Sequence, residues 1–197
     1  MSFYLWPYSI LPQFNLSQAV HSYISFDPAA EVNGDTLQAL LEAFQVRYHA
    51  QHLLRQHGLP AAPKVGNWYP LQAWLDLLAD VEHTYGEQTV YAVGLHIVTC
   101  SRWPAGLTSL NDALSALDEA CRSNVEGENI GYYRVQQLAP GDVRVLCLTP
   151  TPVAFEHGLL TGMARKFRPE QSLRIRVEKE ATPANSPPLL KWFRIKW

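Results

Sequence analysis

The chain has 197 residues, of which 47% are hydrophobic and 17% are charged. These values are typical of a globular domain with a substantial core, and the modest charge content favours an oligomer because more apolar surface has to be covered. Three cysteines without a Cys-x-x-Cys pair argue against a disulfide framework and favour a reducing, cytoplasmic location. The first residues lack a basic region followed by a long apolar run, so no signal peptide is expected, and no apolar run reaches the length of a membrane span.

The charges are unevenly distributed, with a net charge of +6 over residues 161–197 and −8 over residues 1–160. A basic segment is one feature of nucleic-acid-binding proteins. Here, however, Arg174 and Arg176 alternate with apolar residues, as on the solvent face of a half-buried strand. Since no nucleic-acid-reading motif accompanies these charges, no nucleic-acid partner is expected.

The N-terminal region is predicted to form an arm and one helix. Tyr4, Trp6, Tyr8 and Ile10 alternate with other residues, but Pro7 and Pro12 interrupt the run, which indicates either an edge strand or an arm that packs on a partner. A helix is predicted from Gly34 to about residue 57, with Asp35 or Thr36 as its cap. Residues 1–60 form a candidate dimerisation element, and the stiff connector 59–67 leads to a second unit over residues 66–197.

Three further helices are predicted in the middle of the chain. Trp68-Tyr69-Pro70 is expected to begin the first, with Pro70 in its first turn, and Gly86 to end it. Residues 88–98 fit either a strand or a helix, and we favour a helix because the run lies between two helices and Gly94 would permit close contact. Residues 109–122 repeat apolar positions at intervals of three and four, with Thr108 or Ser109 as the cap.

After residue 131 the apolar period changes to two. Strands are predicted over 132–138 and 143–149, joined by a tight turn at Pro140-Gly141. An almost wholly apolar helix then follows, with Thr151 as cap and Pro152 in its first turn. A third strand over 172–180, a proline-rich loop over 181–188 and a last strand over 190–197 complete the chain.

This order of elements predicts an α+β fold, in which N-terminal helices pack on one face of a four- to five-stranded antiparallel sheet and the C-terminal half runs β-β-α-β-β. Leu173, Ile175 and Val177 are expected to face the helices, with the alternating arginines in water. Gly158-x-x-x-Gly162 on the apolar helix is expected to allow close approach of another backbone, beside which a narrow cavity can form.

Residues 66–197 carry glycine, proline and aromatic patterns that resemble a known family. The matching stretches are Trp68-Tyr69-Pro70-Leu71, Tyr91-Ala-Val-Gly94, Gly131-Tyr132-Tyr133, the segment from Thr149 to Phe167, and Lys191 to Trp197. Together they resemble the 4-vinyl-reductase-like small-molecule-binding domains, which share a superfold with the haem nitric-oxide-binding domains and the TRAPP transport-particle subunits. The resemblance implies a domain that binds a small molecule.

Two departures from these relatives bear on cofactors. The cysteines that many members carry around the last hairpin, and that hold zinc in some regulators, are absent from residues 181–188. The Tyr-x-Ser-x-Arg motif of the haem-binding relatives is also absent. We therefore expect no cofactor and no metal.

Two other groups of residues are candidate chemical sites. His49 and His52 are spaced for a metal on one helix face, with His57 nearby, but no acid or cysteine completes the set, so a solvated or interface face is favoured. Cys147 and His157 could form a thiolate–histidine pair, but a buried structural cysteine is the more common case and no third group orients the histidine. No catalytic residue is assigned, and an enzyme is the least favoured class.

The sequence therefore predicts a non-enzymatic binding or sensory module for a small hydrophobic molecule, acting as a homodimer. The alternative is a structural or adaptor protein with a filled core that acts through protein contacts. The residues expected to form the pocket are aromatic, histidine or glycine positions near the apolar helix: Trp68, Trp74, Tyr91, His96, Tyr132, Phe155, His157, Gly158 and Gly162.

Overall fold

The computed structural model describes residues 23–187 and 189–197, so the predicted arm around Tyr4 to Tyr8 lies outside the described residues. The described chain is α+β, as predicted. Its helices are α1 (Gly34–Ala43), α2 (Arg47–Gln56), α3 (Leu71–Tyr85), α4 (Glu87–Cys100), α5 (Leu110–Ser115), α6 (Leu117–Asn124) and α7 (Val153–Lys166). Its strands are β1 (Glu31–Asn33), β2 (Trp68–Pro70), β3 (Val125–Glu126), β4 (Tyr132–Ala139), β5 (Asp142–Leu148), β6 (Arg176–Glu180) and β7 (Leu190–Lys196).

The C-terminal half forms the predicted β-β-α-β-β unit. Its four strands make one antiparallel sheet in the order β4-β5-β7-β6. Side chains alternate between the two faces of each strand, so Val143, Val145 and Cys147 of β5 are fully buried, as are Phe193 and Ile195 of β7. This buried face carries α7, which packs in turn on α4, and the layers form one hydrophobic core.

The two central helices, α4 and α7, cross at glycines, which confirms the close approach predicted from the sequence. A Cβ atom added to Gly158 would lie 2.0 Å from the carbonyl oxygen of Tyr91, and one added to Gly94 would lie 2.1 Å from that of Phe155. A Cβ on Gly162 would lie 2.6 Å from the carbonyl oxygen of Leu95. The two backbones are therefore in direct contact, at a distance that only glycine allows.

A second, three-stranded sheet in the order β2-β1-β3 was not predicted. The expectation that Trp68 to Pro70 begin a helix was wrong, because these residues pair with β1 as an antiparallel strand. Pro70 is the N-cap residue of α3 and has the non-helical angles φ −52° and ψ 124°. The amide of Leu71 donates to the carbonyl of Ala30 at 2.8 Å. This pairing with a strand distant in sequence holds the segment extended.

Two predicted helices are each divided in two. The first is broken at Phe44, which has φ −97° and ψ 126° and turns its ring against that of Tyr85, with the centroids 5.2 Å apart. The second is broken at Ala116, where ψ is 0°. Its predicted cap at Ser109 is confirmed, since Ser109 and Asp112 form a capping box.

The third strand of the main sheet is shorter than predicted and begins at Arg176. Leu173 is 96% exposed, so the expectation that it faces the helices was wrong, whereas Ile175 and Val177 do pack on the core. The Arg168 guanidinium donates to the carbonyl of Ser172 at 2.6 Å and to that of Leu173 at 2.8 Å. These bonds hold the segment in a turn, away from the neighbouring strand. Over the described ranges, no helix has the length and apolarity needed to cross a membrane.

Candidate functional site

A cavity of about 80 Å³, partly open to the surface, lies where the helices meet the ends of β4 and β5. Residues of α1, α3, α4, α6 and α7 contribute to its wall. The apolar lining consists of Val32, Leu71, Trp74, Ile97, Leu117, Ala120, Val125, Ile130, Pro150, Phe155 and Leu159. The other lining residues are Thr36, Ser101, Trp103, Cys121, Asn124, Tyr133, Thr149 and Thr151.

The apolar wall is fixed by aromatic packing between α3 and α7. Trp74 is 1% exposed, and its ring meets that of Phe155 edge to face, with the centroids 6.4 Å apart. Leu159 follows Phe155 by one helical turn and lies on the same face of α7. This arrangement suits an apolar ligand body and holds the wall rigid.

One end of the cavity is polar and is backed by a buried carboxylate. Glu156 of α7 is fully buried, and the hydroxyl of Tyr133 donates to its two carboxylate oxygens at 3.1 and 3.0 Å. Thr149 donates to the carboxylate at 2.6 Å, and Thr151 donates to the same oxygen. The predicted role of Thr151 as helix cap was wrong: Pro152 takes the cap position, and the threonine hydroxyl turns to Glu156.

Lys191 of β7 completes this polar cluster from the far side. Its Nζ donates to the carbonyls of Thr149 and Thr151 at 2.9 and 2.7 Å, and to the Thr149 hydroxyl at 3.0 Å. The same Nζ lies 4.0 Å from a carboxylate oxygen of Glu156. The ammonium thus fixes the corner between β5 and α7 and balances the buried negative charge.

The surroundings shift the pKa values of the neighbouring groups. Burial lowers the pKa of Lys191, and the negative charge of Glu156 opposes that shift. Burial and then Glu156 raise the pKa of Tyr133 well above 10.0 and that of Cys147 well above 9.0. The same two causes raise the pKa of Cys121 to about 12. At neutral pH the phenol and both thiols are therefore protonated.

At the other end of the cavity, Asn124 ties three segments together. Its amide nitrogen donates to the carbonyls of Ala120 at 2.6 Å and Arg102 at 2.7 Å. Its oxygen accepts from the side chain of Asn33 at 2.8 Å and from the backbone amide of Arg102 at 2.9 Å. The side chain has used its donors and both acceptor positions, so its role is structural.

Of the residues expected from the sequence to form the pocket, Trp74 and Phe155 line this cavity. Gly158 and Gly162 lie on the face of α7 that meets α4, and so set the position of the helix rather than the cavity surface. Tyr91 and His157 come together elsewhere, with ring centroids 5.3 Å apart, in an open surface groove.

Trp68, His96 and Tyr132 are separate from the cavity lining. Trp68 lies in β2, opposite Asn33. His96 is partly buried on α4, and Tyr132 is partly buried on β4, beneath the guanidinium of Arg134 at 4.6 Å. The structure therefore does not bring these three residues together with Trp74 and Phe155.

The histidines and the cysteine of the candidate chemical sites are also apart. His157 Nε2 lies 2.9 Å from the carbonyl oxygen of Val177, and within the described chain no hydrogen bond joins it to Cys147. His49 and His52 are exposed on α2. Among residues 23–187 and 189–197 there is no cluster of three or more His, Cys, Asp or Glu that could hold a metal ion.

The polar cluster around Glu156 was missed from the sequence, although two signals for it are present. Glu156 interrupts the apolar run of α7 within its first turn. Alternate residues of β7 face the core, and Lys191 lies on the same inward face as Phe193 and Ile195. A charged residue at an inward position predicts a buried partner, and here each charge is the partner of the other.

Comparison with known proteins identifies the fold. Neither a protein-family model nor a curated protein matches the sequence. Solved H-NOX structures do match the structure. An oxygen-binding H-NOX domain related to soluble guanylate cyclases, in its oxygen complex, has a TM-score of 0.61 and 16% identity, over 83% of this chain and 91% of that one.

Two further H-NOX structures give similar values. A mutant of the T. tengcongensis protein has a TM-score of 0.59 and 17% identity, over 83% of this chain and 93% of that one. A Cs H-NOX mutant containing 4-cyano-L-phenylalanine has a TM-score of 0.59 and 17% identity, over 83% of this chain and 92% of that one. The chain therefore has the H-NOX fold, and at this identity the likeness concerns the fold alone.

Haem does not fit the cavity of this chain. A porphyrin macrocycle is far larger than a volume of about 80 Å³. Among the residues that the structure describes, the lining includes no histidine, and the thiol of Cys121, with its pKa raised to about 12, is not a ready thiolate ligand.

Proposed function

We propose that this chain is a non-enzymatic binding or sensory module that holds a small hydrophobic molecule in the cavity beside Phe155. The observation that carries the proposal is an apolar cavity with a polar cluster at one end, built around the fully buried Glu156. Binding sites combine an apolar lining with a few placed polar groups in this way. An engineered cavity of about 150 Å³ binds benzene, so a cavity of about 80 Å³ points to a ligand of only a few heavy atoms.

Binding is favoured over catalysis by the positions of the reactive groups. Glu156 is separated from the cavity by the three hydroxyls that donate to it, so it is not placed to take a proton from a ligand. Cys121 lines the cavity but stays a thiol at neutral pH, and a thiol is a poor nucleophile. The fold shared with the H-NOX domains and the sequence resemblance to the 4-vinyl-reductase-like domains both agree with a binding role.

Xenon tests whether the cavity takes up an apolar guest, because it enters apolar cavities without needing a hydrogen bond. Two-dimensional ¹H–¹⁵N NMR of the full chain under xenon pressure should show shifts concentrated at residues around Trp74, Phe155 and Leu159. Ala120→Leu should remove these shifts, because Ala120 lines the cavity and is 3% exposed. Ala154→Leu makes the same change on α7 away from the cavity lining and should keep them.

A wild-type chain without localised xenon shifts would overturn the proposal. It would favour instead a structural or adaptor protein with a filled core. The cavity is small for a binding site, which is the observation that keeps this alternative in view.

We also propose that the chain forms a homodimer through its N-terminal residues 1–60. Val46 and Tyr48, at the start of α2, are 52% and 65% exposed, and tyrosine is enriched in protein–protein interfaces. Val46→Asp combined with Tyr48→Asp should convert a dimer to a monomer in size-exclusion chromatography with light scattering. A wild-type chain that is already monomeric would contradict this proposal without affecting the binding proposal.

A further inference from the structure

We infer that the molecule held in the cavity is a small neutral alcohol, because the hydroxyl groups that line the cavity turn their protons away from it. This inference rests on the proposed function and concerns the same site. A hydroxyl has one proton and two lone pairs, so once its proton is committed to a protein group it can only accept from a ligand.

At the Glu156 end, the carboxylate takes up the protons. Tyr133, Thr149 and Thr151 all donate to Glu156, and all three line the cavity. The 3.0 Å contact between the two threonine hydroxyls keeps any exchanged proton inside the cluster. Lys191 uses one of the two lone pairs of Thr149, whereas no described residue outside the cluster donates to the hydroxyl of Tyr133 or Thr151, so these two are the main free acceptors.

At the opposite end, the pattern is the same. The hydroxyl of Thr36 donates to the side-chain oxygen of Asn33 at 2.9 Å. Ser101 lies 3.3 Å from the Thr36 hydroxyl, whose proton is already committed, so Ser101 is the donor in that contact. Both ends of the cavity therefore present oxygen lone pairs to whatever lies between them.

The remaining polar side chains of the described lining add no strong donor. Asn124 uses both its amide protons on backbone carbonyls. The indole nitrogen of Trp103 has no hydrogen-bond partner in the described chain, but neighbouring atoms cover it completely, so it does not face the open space. The Cys121 thiol is only a weak donor.

Charge and shape further restrict the chemical class of the ligand. A carboxylate or a carbonyl would bring its own lone pairs against those of the lining, next to the buried negative charge of Glu156. An ammonium would lose its hydration on entering an otherwise apolar cavity, and the negative charge of Glu156 is already balanced by Lys191. A neutral hydroxyl on a short alkyl group satisfies the acceptors and leaves the apolar wall covered.

The test compares two probes of nearly equal size, 2-propanol and acetone, by ¹H–¹⁵N NMR titration of the full chain. We expect 2-propanol to bind at least tenfold more tightly than acetone, with shifts at the same residues that respond to xenon. If xenon binds but the two probes bind equally, or acetone binds more tightly, this inference is overturned while the proposed function stands. If xenon does not bind, the proposed function itself fails.

Two variants assign the preference to the hydroxyls. Thr151→Val removes one free acceptor and should reduce the preference for 2-propanol to within about threefold. Thr161→Val is the matched control, because Thr161 donates to the carbonyl of His157 on α7 and is not a lining residue. If Thr151→Val fails to fold, Tyr133→Phe gives the same comparison, and an unchanged preference in the variant that folds would contradict the assignment.

Discussion

Replacing Lys191 with methionine should strongly destabilise the protein, although the side chain keeps its apolar stem. The ammonium donates to the carbonyls of Thr149 and Thr151 at 2.9 and 2.7 Å, and leaving a buried acceptor unpaired costs about 1–3 kcal/mol. It also lies 4.0 Å from Glu156, and removing one partner of a buried ion pair costs about 3–5 kcal/mol. These costs overlap, so we expect Lys191→Met to lower the free energy of unfolding by about 3–5 kcal/mol.

The measurement is urea denaturation, with a double-mutant cycle. Lys196→Met is the control on the same strand: Lys196 is about half exposed and lies 3.9 Å from Asp142, so its loss should cost under about 1 kcal/mol. Glu156→Gln removes the buried charge, so the double variant should recover more than about 1 kcal/mol relative to additivity. If Lys191→Met costs less than about 1 kcal/mol, or if the cycle shows no coupling, the cluster does not stabilise the corner as described.

Three further predictions concern stability. Gly158→Ala should lower the free energy of unfolding by about 2–4 kcal/mol in urea denaturation, because its Cβ would lie 2.0 Å from a backbone oxygen. Gly162→Ala should cost less, because the nearest contact of its Cβ would be at 2.6 Å. Equal costs for the two variants would show that backbone contact at Gly158 does not set the helix crossing. The pKa of Cys147 is raised in the folded protein, so above pH 9 the unfolded chain loses a proton that the native chain keeps. The free energy of unfolding therefore falls with rising pH, by up to about 1.4 kcal/mol per pH unit for this group. Cys147→Ala should flatten that fall between pH 9 and 10.5 in a series of denaturation curves, and an unchanged slope would count against it. Asn124→Ala leaves several buried partners unpaired and should cost about 2–4 kcal/mol by the same assay; a cost under about 1 kcal/mol would show that the network is not structural.

The C-terminal half was predictable because its signals are local. Strand alternation, the turn at Pro140-Gly141 and the apolar run of α7 are each readable within a few residues. The small sheet was not, because its strands have two or three residues and pair across long stretches of sequence. The breaks at Phe44 and Ala116 also depend on packing against other elements, which overrides helical periodicity.

The residues of the candidate site also divide into those that local sequence patterns predict and those that depend on the tertiary fold. Trp74 and Phe155 were predicted because large apolar side chains on helix stripes are expected inside. Glu156, Tyr133 and Lys191 lie on three elements, and their meeting depends on the register of β4, β5 and β7. Sequence patterns show that a charged residue lies at an inward position, but not which partner the fold brings to it.

The glycine crossing of α4 and α7 has a mechanical consequence for any molecule in the cavity. The backbone atoms of Phe155 and Leu159, whose side chains form the cavity wall, are the ones that touch Gly94. An occupant that presses on this wall cannot move α7 towards α4, because no compressible side chain lies between the two backbones. Both helices must move as one body, and Lys166, which donates to the carbonyl of Val98 at 3.0 Å, joins them again at the far end of α7. A small guest would therefore displace a two-helix unit, which carries the change to α1 and α3, the other helices that pack on α4.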